Sequence, residues 1–118
     1  FAANPDGLPG NDDAGATSSW LAFAMMGLYP VTPGSGEYWI GSPHFDRVTV
    51  HVDASKKIDF VLEAQGNADD APYVQSATLD GAPLDAPRIR HEDIARGAKL
   101  VVVMGKSPST WGATPVCP

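Results

Sequence analysis

The chain has 118 residues, which is long enough for one domain with a single hydrophobic core. Its formal net charge is -6 with only eight lysine and arginine residues, and this argues against nucleic acid as a partner because a phosphate backbone is bound by clustered basic side chains. No apolar run approaches the roughly 20 residues of a membrane span. The single cysteine, Cys117, gives neither a disulfide framework nor a metal site.

The first residues predict a loop that ends in two adjacent carboxylates. The turn signals Asn4-Pro5 and Asp6-Gly7 precede Gly10-Asn11-Asp12-Asp13. A loop end fixed by a helix can hold an acid or base rigidly while its side chain faces a cleft, so Asp12 and Asp13 are candidate catalytic residues. The alternative is that they cap the helix, because aspartate oxygens accept hydrogen bonds from the free amides of a first turn. On spacing alone, both interpretations stay open.

One helix is predicted from Ala14 to Tyr29, free of proline inside and ended by Gly27 and Pro30. Its apolar side chains surround most of the helix instead of forming one stripe. They are Trp20, Leu21, Phe23, Ala24, Met25, Met26 and Leu28. Because a helix that is apolar all round is normally buried on every side, we expect the isolated chain to expose an apolar patch or to self-associate.

After Pro33 the pattern changes to the two-residue period of half-buried antiparallel strands. The strand predictions with this period are 48–52 and 58–65. A further strand is predicted over 73–79, with a hairpin turn at Asp80-Gly81 into 82–84. A short helical turn is predicted at 91–97, ended by Gly97, and the continuous apolar run 100–104 predicts a central strand. The sequence therefore predicts an α+β fold in three parts. These are a loop and helix over 1–33, an antiparallel β-sheet or sandwich domain over 34–106, and an extended tail over 107–118 that Trp111 pins.

Several short motifs occur in one order along nearly the whole chain. They are Leu8-Pro9-Gly10-Asn11-Asp12-Asp13, Trp20, Gly27-Leu28-Tyr29-Pro30-Val31, Pro33-Gly34-Ser35, Glu37-Tyr38, Ile40-Gly41-Ser42-Pro43, Phe45-Asp46, Val48-Thr49-Val50-His51, Gln75-Ser76-Ala77-Thr78-Leu79, His91-Glu92-Asp93-Ile94 and Gly97. In this combination the sequence resembles the C-terminal part of glycoside hydrolase family 92. One departure is Ala16-Thr17-Ser18-Ser19-Trp20, where the family usually has Gln-Met-Ser-Ala-Trp. Substrate contacts of that glutamine are therefore not transferred to this chain.

The resemblance implies an exo-acting, inverting α-mannosidase that requires calcium and releases terminal mannose from glycans, with an α-1,2 linkage as the expected type. Inversion needs a general acid and a general base on opposite sides of the scissile bond. The resemblance places Asp12 and Asp13 on the base side, with Asp13 as the first choice for activating water. The family's acid is a glutamate from an earlier part of the polypeptide. The glutamates of this chain, Glu37, Glu63 and Glu92, are all downstream and none takes that position.

The resemblance also implies that this chain is a C-terminal fragment, because 118 residues are too few for a multi-helix toroid joined to a β-sandwich. The predicted helix would then be the end of an (α/α) toroid, and the remainder of the parent enzyme would be its partner. Calcium would be held mainly by residues outside this chain, and the isolated fragment would be inactive. The family further implies a secreted, periplasmic or cell-surface location in a bacterium.

Two alternatives assign no catalysis to the chain. A carbohydrate-binding module would use the flat faces of Tyr38, Trp39 and Trp111 to stack on sugar rings, although single aromatic residues on strands more often belong to a core. An exposed coplanar pair among them would favour this module, and their burial would contradict it. The other alternative is a structural β domain that supports the toroid.

Overall fold

The computed structural model describes residues 1–113, so Cys117 and the last residues of the predicted tail lie outside the described residues. The helices are α1 (Ala16–Met26) and α2 (His91–Ala95), and a short 3-10 turn, Asp13–Gly15, precedes α1. The strands are β1 (Leu28–Tyr29), β2 (Glu37–Ile40), β3 (Arg47–Asp53), β4 (Ile58–Gln65), β5 (Tyr73–Leu79), β6 (Ala82–Pro83), β7 (Arg88–Arg90) and β8 (Lys99–Gly105). The predicted α+β class, one N-terminal helix followed by a β domain, is confirmed.

The strands form two sheets of different size. The larger has the order β3-β4-β8-β5-β6, and the smaller has the order β1-β2-β7. The pairs are antiparallel except β4 with β8, which run parallel with Leu62 opposite Leu100. Parallel neighbours require a long crossover connection, and the chain from Gly66 to Ala98 supplies it. The larger sheet is therefore mixed, whereas the sequence predicted only antiparallel pairing.

The core lies on one face of the two central strands. Phe60 and Leu62 of β4 and Leu100 and Val102 of β8 are each at most 1% exposed, and in both strands they alternate with more exposed neighbours. Leu28, Ile40 and Ile89 of the smaller sheet belong to the same buried cluster. The smaller sheet therefore packs against the core face of the larger one.

The predicted bounds of the first helix were wrong at both ends. Ala14 and Gly15 have φ values of 53° and 76°, so α1 begins only at Ala16. Gly27, at φ 84°, ends the helix, and the next residues, Leu28–Tyr29, form strand β1 instead of a last helical turn. No residue of α1 is buried, and Trp20 is 45% exposed. The described structure therefore leaves Trp20 exposed and the apolar residues from Phe23 to Met26 half-buried, and self-association through α1 stays a prediction.

Gly27 occupies a position where a side chain does not fit. A Cβ atom added there would lie 2.7 Å from Cγ of Pro43 and 2.8 Å from its nitrogen. We expect Gly27→Ala to lower the free energy of unfolding by this clash and by left-handed backbone strain of about 1–2 kcal/mol. Gly34→Ala is the matched control, because Gly34 has φ +86° and no atom within 4 Å of the added Cβ. Equal losses for both variants in urea unfolding would show that the contact with Pro43 costs nothing.

Candidate functional site

Asp12 is held by hydrogen bonds to the first turns of α1. Its Oδ1 accepts the backbone N–H of Ser18 at 2.9 Å, and its Oδ2 accepts the Ser18 hydroxyl at 2.5 Å. The hydroxyl bond first, and the backbone bond second, lower the pKa of Asp12 below its ordinary value of 3.8. At neutral pH Asp12 is therefore an ionised acceptor with both oxygens engaged.

The bond from Ser18 means that Asp12 satisfies one of the free amides of the helix start. Ser18 is the third residue of α1, and its N–H belongs to the first turn, which has no partner within the helix. The residue at the N-cap position is Gly15, which has no side chain to accept such a bond. Asp12 therefore caps the helix, as the second interpretation predicted, although it lies six residues before Ser18. The sequence did not reveal Ser18 as its partner, because ordinary caps reach only two or three residues ahead.

Asp13 has a fixed backbone and a free side chain. Its carbonyl accepts the N–H of Ala16, and the carbonyl of Asp12 accepts the N–H of Gly15 at 3.0 Å, so the 3-10 turn is closed on both sides of the residue. Its carboxylate is exposed and makes no hydrogen bond or ion pair with another residue in 1–113. The two neighbouring aspartates therefore differ: Asp12 is engaged and Asp13 is available.

The Ser18 hydroxyl is the main cause of the lowered pKa of Asp12. We expect Ser18→Ala to raise the pKa of Asp12 toward its ordinary value, since the largest cause of the lowering is removed. A lowered carboxylate pKa stabilises the fold at pH values above the unfolded pKa, and this contribution disappears as the pH falls through the folded pKa. Ser18→Ala should therefore lower the free energy of unfolding more near neutral pH than at strongly acidic pH. NMR titration of the Asp12 carboxyl checks the shift, with Ser19→Ala as the control, and an unchanged Asp12 pKa in Ser18→Ala would contradict it.

Two of the three glutamates are held in ion pairs that do not suit a general acid. Glu37 is paired with Arg88 at 3.2 Å. Glu63 is paired with Lys99 at 3.2 Å, and the hydrogen bond from Lys99, followed by its charge, lowers the pKa of Glu63. A catalytic acid near neutral pH needs a raised pKa instead. Glu92 is exposed on α2, in the part of the fold near the smaller sheet.

The three aromatic residues predicted as a sugar platform do not form one. Tyr38 and Trp39 are neighbours on β2, so their side chains point to opposite faces. Tyr38 is half-buried and its hydroxyl lies 3.1 Å from His91 Nδ1, while the Arg88 guanidinium lies 6.0 Å from the ring centre of Trp39. Trp111 is half-buried and donates from Nε1 to the carbonyl of Leu84 at 2.8 Å. These rings hold parts of the fold together.

The described residues do not fit a calcium site. Within residues 1–113 there is no group of three or more histidine, cysteine, aspartate or glutamate side chains placed to hold a metal ion. Calcium in proteins takes six to eight oxygen ligands, with carboxylates prominent among them.

Among residues 1–113, no helix is long and apolar enough to cross a membrane.

A sequence model described as the glycosyl hydrolase family 92 catalytic domain matches residues 1–106. An uncharacterized secreted glycosidase of Arthroderma benhamiae is 38% identical over 113 residues, which are 95% of this chain and 14% of that protein. This chain belongs to glycosyl hydrolase family 92.

Solved structures agree with this assignment in both sequence and fold. The family 92 glycosyl hydrolase ccman5 matches with a TM-score of 0.83 at 39% identity, over 91% of this chain and 14% of the other. A family 92 α-mannosidase from Bacteroides thetaiotaomicron, solved in complex with mannoimidazole, has a TM-score of 0.81 at 35% identity, over 92% and 14%. A family 92 inverting mannosidase from the same organism has a TM-score of 0.73 at 40% identity, over 82% and 13%. The chain thus spans about one seventh of each of these proteins.

Proposed function

We propose that this chain supplies the base-side aspartates of an inverting, calcium-dependent α-mannosidase that releases terminal mannose from glycans, with α-1,2 linkages as its substrate type. In this proposal Asp13 activates the attacking water and Asp12 positions the loop. The structural relatives support the reaction class, since one is named an inverting mannosidase and another was solved with mannoimidazole. The base-side role of the aspartate loop itself is our proposal.

The observation that carries this proposal is the difference between the two neighbouring carboxylates. Both oxygens of Asp12 accept hydrogen bonds from Ser18, which lowers its basicity and fixes the loop. Asp13 is exposed, and its main chain is fixed by the turn. A general base needs a free oxygen at a defined position, because it must accept a proton from one particular water molecule. The Asp13 carboxylate is free to accept that proton from a fixed main-chain position, whereas both oxygens of Asp12 already accept hydrogen bonds.

In the proposed reaction, the Asp13 carboxylate removes a proton from water while the water oxygen attacks the anomeric carbon. The bond to the leaving oxygen breaks on the opposite side, where a carboxylic acid outside this chain donates the proton. In inverting glycosidases the two carboxyl groups are roughly 6.5–9.5 Å apart, which leaves room for the water. Neither Glu37 nor Glu63 is suited to be that acid, since both are ion-paired to basic residues.

Calcium and location are further parts of the proposal. We place the calcium ligands mainly outside this chain, since residues 1–113 contain no group of three or more histidine, cysteine, aspartate or glutamate side chains placed to hold a metal ion, and we derive no catalytic step from the ion. We also propose that the enzyme acts outside the cytoplasm, which the secreted glycosidase of Arthroderma benhamiae supports by its name. A bacterial source stays a prediction.

The stereochemistry of the first product tests the proposed reaction. We expect the enzyme that contains this chain to release β-mannose first from an α-mannoside, as proton NMR of the anomeric signal would show within minutes. The 118-residue chain alone should release no mannose, because one carboxylate of an inverting pair cannot carry out both proton transfers. Initial release of α-mannose would contradict inversion. Turnover by the isolated chain that persists after repurification would contradict the assignment of the acid to another part of the enzyme.

A further inference from the structure

The chain that enters the 3-10 turn is tied to α1 by two side chains of the helix. The Thr17 hydroxyl donates to the carbonyl of Asn11 at 3.2 Å, and Ser18 donates to both oxygens of Asp12. Both contacts join residues six positions apart in the sequence. They therefore connect the main chain on the N-terminal side of Asp13 to the first turn of the helix.

The Thr17 hydroxyl does not bond within its own helix. A threonine hydroxyl in a helix can donate to the carbonyl three or four residues earlier. For Thr17 these carbonyls belong to Ala14 and Asp13, and the Asp13 carbonyl already accepts the N–H of Ala16. The hydroxyl instead donates to Asn11, which lies outside both α1 and the 3-10 turn. Its hydrogen bond therefore fixes the loop to the helix.

The turn between these contacts has a strained backbone. Ala14 has φ 53°, in the left-handed region that a residue with a Cβ atom rarely adopts. Such a conformation persists only where the surrounding structure imposes it. On the C-terminal side, the N–H of Ala16 donates to the carbonyl of Asp13. On the N-terminal side, Thr17 and Ser18 supply the side-chain bonds, so the loss of one of them would let the turn relax.

We propose that Thr17 is a positioning residue for Asp13. This inference rests on the proposed function, in which Asp13 is the general base. Thr17 does not touch the reacting atoms. Its hydroxyl holds the carbonyl of Asn11, and the main chain between them fixes the point from which the Asp13 carboxylate reaches the attacking water. A displacement of about 1 Å at a reacting group can cost about 10²-fold in rate. Because the Ser18 bonds remain, the loss of the Thr17 bond alone should cost about tenfold.

The test is the steady-state kinetics, on an aryl α-mannoside, of the enzyme that contains this chain. Thr17→Val keeps the shape of the side chain and removes the hydroxyl, so it should lower kcat about tenfold. KM should stay within about twofold, because the base acts only in the transition state. Thr17→Ser keeps the hydroxyl and should restore most of the rate. Ser19→Ala is the matched control, since it removes a hydroxyl from the same helix and leaves both loop contacts in place.

A double variant separates positioning from a general effect on stability. If Thr17 acts through the Asp13 carboxylate, Thr17→Val should slow the original enzyme but should not slow Asp13→Asn further, since the positioned base is already lost. Thr17→Ala removes the same hydroxyl and introduces the best helix former, so it provides the test if Thr17→Val does not fold. Thermal melts of each variant check the folding.

Three results would overturn the positioning role of Thr17. They are an unchanged kcat in Thr17→Ala, a Thr17→Ser enzyme as slow as Thr17→Val, and an equal further loss when Thr17→Val is added to Asp13→Asn. If Asp13→Asn is slow while the Thr17 variants are not, the positioning role alone fails. A normal kcat for Asp13→Asn would instead contradict the proposed function, and with it this role of Thr17.

Discussion

In the enzyme that contains this chain, replacing Asp13 by asparagine should lower kcat about 10²- to 10⁴-fold, the usual contribution of a general base. Asparagine keeps the size and shape of aspartate but cannot accept the proton of the attacking water. The fold should remain intact, because the Asp13 side chain makes no hydrogen bond within the described residues and its turn is closed by main-chain bonds. Steady-state kinetics on an aryl α-mannoside, with thermal melts of both proteins, measure the two effects.

Asp12→Asn is the matched comparison, one residue earlier in the same turn. It should reduce kcat less than Asp13→Asn and should reduce stability more, since an amide group replaces one of the oxygens that accept hydrogen bonds from Ser18. The reverse order, with Asp12→Asn the slower enzyme, would move the base to Asp12. If Asp13→Asn lowered the melting temperature while kcat stayed near the original value, Asp13 would have only a structural role.

The largest expected effect on folding is at the centre of the larger sheet. Leu100 is fully buried, and it is paired with Leu62 of β4 and with Leu79 of β5. Leu100→Ala should lower the free energy of unfolding by about 2–5 kcal/mol, through the lost burial and the cavity left behind. Since single domains are stable by only about 5–15 kcal/mol, this is a large share of the total.

Urea unfolding of the 118-residue chain measures the loss at Leu100, with Leu8→Ala as the control. Leu8 is 37% exposed in the N-terminal loop, so its replacement should change stability by no more than about 0.5 kcal/mol. A loss at Leu100 no greater than that at Leu8 would mean that the isolated chain does not form the buried sheet centre.

The features predicted well from the sequence depend on nearby residues. The hairpin at Asp80-Gly81 was predicted from two adjacent residues that tolerate positive φ, and their φ values are 50° and 83°. The alternation of β4 was predicted from the two-residue period of a sheet with one buried face, and β8 was predicted as a central strand from its continuous apolar run. The turn after α2 was predicted from Gly97, which has φ 78°.

The features that the sequence did not predict depend on pairs of distant residues. The parallel pairing of β4 with β8 joins residues far apart in the chain, and strand periods contain no information on direction. The later start of α1 results from the left-handed backbone of Ala14. The sequence did not predict it, because alanine is the residue most favourable to a helix. At the candidate site, the motif order indicated Asp12 and Asp13, but only the structure showed which of them Ser18 engages.

The most direct test of the proposed role of Asp13 is chemical rescue of Asp13→Ala in the enzyme that contains this chain. Azide is a nucleophile that needs no general base, so sodium azide should restore turnover of an aryl α-mannoside. In this reaction the bond from azide nitrogen to the anomeric carbon forms as the bond to the aryl oxygen breaks. Because azide attacks from the side of the missing base, we expect β-mannosyl azide as the product, identified by NMR. Failure of azide to raise the rate, or formation of the α-azide, would contradict the proposed role of Asp13.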